Sequence, residues 1–72
     1  MKTIRELREQ QGWTQLDLAY RARVTPATVS NWERGIYEPK VTQLRKLAKL
    51  FDVGSDDITL IVGEAAEGKL AA

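Results

Sequence analysis

The sequence predicts an all-α domain of five short helices. Three observations predict it. Threonines and acidic residues stand at helix-start spacing, glycines fall where helices stop, and apolar residues between them recur every three or four positions.

Each element follows from its own residues. Thr3 and Glu6 have capping-box spacing, so the Thr3 hydroxyl serves the first turn's amides while Glu6 reaches back. Ile4 and Leu7 recur at helical spacing and Gly12 is a stop, giving helix one over about residues 4–11. Thr14 starts helix two, with Asp17 near the positive end of its dipole and Leu18, Ala19 and Ala22 as its inward stripe. Thr25 and Pro26 form an N-cap and N1 pair, Val29 and Trp32 share a face, and Gly35 ends helix three. "IYEPK" reads as a loop, because Glu38 before Pro39 is biased away from helix. Helix four begins near Val41, with Leu44, Leu47, Ala48 and Phe51 at i, i+3, i+4 and i+7. Gly54 and Ser55 open a fifth helix, with Asp56 and Asp57 in its first turn and an end near Leu60 or Val62. The β-branched "TLIV" there also suits extended chain. Residues 1–62 are read as the domain and 63–72 as a flexible tail. Residues 69–72, "KLAA", look like a vector-derived linker and carry no functional weight.

Composition narrows the chemistry. The 72 residues contain no cysteine and no histidine, so no thiolate site or imidazole acid/base exists. An enzyme is not expected, nor a metal, a cofactor or a small-molecule ligand. No apolar run reaches membrane-spanning length and no signal peptide is evident, so a soluble cytoplasmic protein is expected. Net charge is +1 but uneven. Residues 1–51 carry ten Lys/Arg against five Asp/Glu, and residues 52–72 carry one against five. The basic part suits a polyanion, although small domains often show such asymmetry.

Helices two and three are joined by about three residues, the geometry of a helix-turn-helix. Ala19 lies mid-way along helix two, where a small side chain lets helix three cross closely. Leu18, Val24, Val29 and Trp32 supply apolar contacts that hold the crossing angle.

On these residues the chain resembles the Cro and phage-repressor (Xre-type) helix-turn-helix family. The family pattern is met by Thr14-Gln15, Leu18-Ala19, Val24, Val29, Trp32-Glu33 and Gly35. "IRELREQQGW" resembles the family's first helix and "LRKLAKLFDV" its fourth, so the likeness covers about residues 3–60. It implies a compact five-helix lambda-repressor-like domain whose third helix enters the major groove of double-stranded DNA. Pro26, Ala27, Thr28 and Asn31 then occupy or flank base-reading positions. Gln15, at the start of helix two, faces a phosphate, and Thr25, Arg34, Tyr37 and Lys40 flank the backbone. Arg8 and Glu33 fall where relatives form a buried ion pair that orients helix three.

Two positions depart from the pattern. Arg23 stands where the family has a turn glycine, at a position that commonly needs positive φ. Its side chain is read as solvated in preference to a backbone contact. Pro26 and Ala27 cannot hydrogen-bond a base, which leaves Thr28 and Asn31 as polar readers and gives DNA shape a larger share of specificity.

Plainer roles compete elsewhere. Trp32 is read as core, not as a base-stacking group, and so are Trp13 and Tyr20. Arg45, Lys46 and Lys49 are read as a solvated face, and Asp56-Asp57 as capping. Leu16 is expected on the surface. Ile58, Leu60, Ile61 and Val62 hold more apolar surface than the core needs, which suggests a homodimer interface and a near-palindromic operator. The expected function is that of a small transcriptional regulator, most simply a repressor. The rival is a protein-interaction module, antitoxin- or adaptor-like, on the same fold.

Overall fold

A computed structural model describes residues 2–61. Four α-helices follow a two-residue strand: β1 Lys2–Thr3, α1 Ile4–Gln10, α2 Gln15–Ala22, α3 Pro26–Arg34 and α4 Val41–Phe51. A 3-10 turn at Ser55–Asp57 then leads into strand β2, Ile58–Thr59.

The helix starts obey the capping logic of the sequence. The Thr3 hydroxyl accepts the Glu6 amide at 3.1 Å, and the Glu6 carboxylate accepts the Thr3 amide at 3.0 Å. Thr14 and Asp17 repeat the exchange at 3.1 and 2.9 Å. Thr25 accepts the Thr28 amide at 3.1 Å, with Pro26 behind it in the first turn. These amide donors hold the Glu6 and Asp17 carboxyls below the ordinary carboxylate range.

The helix ends share one device. Gly12, Arg23, Gly35 and Asp52 all have positive φ, between 57° and 77°. In each case the next amide reaches back to the helix, as Val24 does to the Ala19 carbonyl at 2.9 Å and Ile36 to that of Asn31 at 2.9 Å. Glycine takes this conformation freely and aspartate tolerates it. For an arginine it costs roughly 1 kcal/mol or more, so the strain anticipated at Arg23 is present.

One core joins all four helices. Ile4, Leu7, Leu18, Ala19, Ala22, Val29, Trp32, Leu47, Ala48, Phe51 and Ile58 are buried, and Val24 and Leu44 pack against them. Ala19 is 1 % exposed, as close approach of α3 to α2 demands. Trp13 is half-buried, its ring 5.8 Å from that of Phe51 and capped by the Arg21 guanidinium at 4.5 Å.

Three expectations need correction. The fifth helix is only a 3-10 turn, after which the chain is extended and β2 pairs in parallel with β1, Lys2 opposite Ile58 and Thr3 opposite Thr59. The β-branched residues there find their amide partners in a strand from the other end of the chain. Ile58 is consequently 6 % exposed and closes the chain's own core instead of facing a second copy. Tyr20 is not core: it is 85 % exposed and shares the outer face of α2 with Leu16, four residues earlier and 65 % exposed. Among the described residues no helix is long and apolar enough to cross a membrane.

Candidate nucleic-acid interface

The helix-turn-helix is built by α2 and α3, joined through Arg23, Val24 and Thr25. Val29 and Trp32 sink one side of α3 into the core at 0 % and 4 % exposure. The opposite side carries Ala27, Ser30, Asn31 and Arg34 at i, i+3, i+4 and i+7. Ala27 and Arg34 are exposed, and Ser30 and Asn31 are half-buried. Among the described residues the Asn31 carboxamide has no hydrogen-bond partner, so both its donors and its acceptor are open to a ligand. Pro26 is exposed at the helix front. Thr28 is half-buried, and its hydroxyl lies 2.8 Å from that of Thr25. That bond leaves Thr28 with less free hydrogen-bonding capacity than Asn31.

Ser30 was not singled out from the sequence. It joins the outward arc only when the helix is indexed from Ala27, and its three-residue step was the available signal.

The C-terminal end of α3 is fixed from behind. The Arg8 Nε donates to Glu33 Oε2 at 2.7 Å and its Nη2 to Oε1 at 3.2 Å. Its Nη1 donates to the Trp13 carbonyl at 2.7 Å. The two side chains are 11 % and 5 % exposed, so the pair is nearly dry. The hydrogen bonds from Arg8 to Glu33 raise the guanidinium's pKa further, against the opposing pull of burial. The expected pair is thus formed, and it ties α1 to the end of α3.

Gln15 belongs to the same network. Its Nε2 donates to Glu33 Oε1 at 3.1 Å, a contact the sequence did not disclose. A carboxylate only accepts, so the amide nitrogen faces Glu33, and one N–H and the carbonyl oxygen remain for a partner outside. Arg34, Tyr37 and Lys40 are exposed, Tyr37 at 62 %. The Lys40 amide donates to Gln43 at 2.7 Å at the start of α4.

The residues expected to form an interface between copies are scattered. Ile58 is buried, Leu60 packs against the core, and Ile61 is 38 % exposed. Val62 lies outside the described residues.

Comparison with known proteins agrees with this geometry. The helix-turn-helix family model matches residues 4–58. An uncharacterized HTH-type transcriptional regulator of Archaeoglobus fulgidus is 33 % identical over 66 residues, spanning 92 % of this chain and 94 % of that protein. The HTH-type transcriptional regulator ImmR of Bacillus subtilis is 33 % identical over 55 residues, 76 % of this chain but only 43 % of that protein. The matched span runs from the first residue of α1 to the first residue of β2 and so takes in the core, the α2–α3 unit and the Arg8–Glu33 pair. The chain therefore belongs to the Cro and phage-repressor (Xre-type) helix-turn-helix family.

Proposed function

We propose that this protein is a sequence-specific double-stranded-DNA-binding transcriptional regulator, most simply a repressor that binds a near-palindromic operator as a homodimer. The observation that carries the reading is the outward arc of α3. Ala27, Ser30, Asn31 and Arg34 lie opposite the buried Val29 and Trp32, on a helix held at its far end by Arg8 and Glu33. Asn31 is assigned to base readout, where a carboxamide pairs bidentately with adenine. Pro26, Ala27 and Thr28 give apolar and hydroxyl contact beside it. Gln15, Thr25, Arg34, Tyr37 and Lys40 are assigned to phosphates. Both relatives are named as transcriptional regulators, which supports the same reading. A twofold dimer would set the two α3 helices about one DNA turn apart. With Ile58 committed to the core, the half-buried Leu60 and the exposed Ile61 remain of the proposed interface among the described residues.

The experiment is selection of bound duplexes from a random pool at physiological salt. An enriched near-palindrome is expected. A second reading, a protein-interaction module, is favoured by the exposed Leu16 and Tyr20 on α2. Recovery of no preferred sequence, with retention that follows charge alone, would replace the first reading by the second.

A further inference from the structure

The turn between α2 and α3 carries a cost that the fold does not explain. Of the four left-handed helix ends, Gly12 and Gly35 are glycines and Asp52 is a residue type that tolerates the conformation. Arg23 is neither, at φ 59°. Its side chain is exposed and has no hydrogen bond or ion pair among the described residues. It borders an open notch with Ala19, Tyr20, Arg21 and Val24. The second cation there, Arg21, is drawn onto the Trp13 ring at 4.5 Å, and among the described residues no carboxylate lines the notch. Among the described residues the strained residue therefore presents an uncompensated guanidinium.

Its place in the chain says what that guanidinium meets. Arg23 lies two residues before Thr25, the N-cap of α3, hence within about 7 Å of it along the backbone. With the N-terminal end of α3 in a major groove about 12 Å wide, a residue this close stands at the groove wall, where the phosphates run. A guanidinium matches a phosphate bidentately, and a glycine there would offer nothing. We infer that Arg23 is a DNA-backbone ligand, binding a phosphate at the edge of the groove that α3 enters, and that the left-handed strain is retained for this contact. The inference rests on the DNA-binding reading above.

The test measures binding of the full chain to a mixed-sequence duplex of about 30 base pairs, long enough for two half-sites. Affinity is followed from about 50 to 200 mM salt, with the thermal midpoint of each protein measured alongside. Arg23→Gly removes the strain and the cation together. It is expected to melt higher than the parent yet bind about tenfold more weakly, with a salt slope shallower by about 0.9. Arg23→Lys keeps the charge and should hold the parent's slope. Asp52→Gly, which relieves the other non-glycine stop, should leave affinity and slope unchanged. Parental affinity and slope in Arg23→Gly would overturn the inference while leaving the DNA-binding reading intact. A parent protein with no salt-dependent duplex binding would overturn both.

Discussion

The two sides of α3 are treated in opposite ways. At its C-terminal end Glu33 is held by two bonds from Arg8 and one from Gln15, with both charged side chains nearly dry. Along the opposite arc, Asn31 has no hydrogen-bond partner among the described residues and Arg34 stands exposed. The difference separates two tasks. Groups that fix the helix are satisfied internally and shielded from solvent. Asn31 and Arg34, both assigned to a ligand, are left unsatisfied, so that binding there does not first have to break an internal bond, whereas Gln15 and Thr25 keep internal bonds beside their assigned contacts. Thr28 falls between the two, since its hydroxyl already meets that of Thr25.

Breaking the locked end should have the largest effect. Glu33→Ala strands the Arg8 guanidinium in a site where its side chain is 11 % exposed. A loss of about 3 kcal/mol is expected, because a partner removed from a buried pair leaves an uncompensated charge. In a domain of this size that lowers the thermal midpoint by roughly 12–24 °C, measurable by circular dichroism. Asn31→Ala should do the reverse. Stability should stay within about 0.5 kcal/mol of the parent, since no internal bond is lost. Affinity for a selected site should fall by about 1–3 kcal/mol, with relaxed preference at one position per half-site. A gain in midpoint for Glu33→Ala, or a large loss for Asn31→Ala, would erase the distinction between the two sides.

Arg34→Ala sharpens the open side further. Competition assays should show every duplex sequence weakened alike, with a salt slope shallower by about 0.9. The smallest effect concerns the helix starts. Glu6 and Asp17 have carboxyls lowered by the Thr3 and Thr14 amides. A carboxyl lowered in the folded state contributes stability above its unfolded pKa and loses it as pH falls through the folded value. Acid titration of the thermal midpoint should therefore show a decline below the ordinary carboxylate range. Glu6→Gln with Asp17→Asn should flatten that decline without touching DNA affinity at neutral pH.

Much of this division was legible in the sequence because its causes are local. Thr3, Thr14 and Thr25 cap helices through residues three positions away, and Val29 and Trp32 share a face by helical spacing alone. The Arg8–Glu33 pair joins residues far apart in the chain and came only from family likeness. Non-local pairing also explains what was missed. Ile58 is extended and buried because Lys2 offers it a strand partner, which no nearby residue announces. The Gln15 bond to Glu33 depends on how α2 and α3 cross, a quantity set by packing at Ala19. Tyr20 is aromatic yet lies outside the core, because its four-residue step from Leu16 places it on the outer face of α2.

The most direct measurement compares the sequences that the parent protein and Asn31→Ala each select from the same random duplex pool. The parent is predicted to enrich a near-palindrome, and the variant the same palindrome with one position per half-site made indifferent. An unchanged preference at every position, or no enriched sequence for the parent, would contradict the assignment of the open side of α3 to base readout.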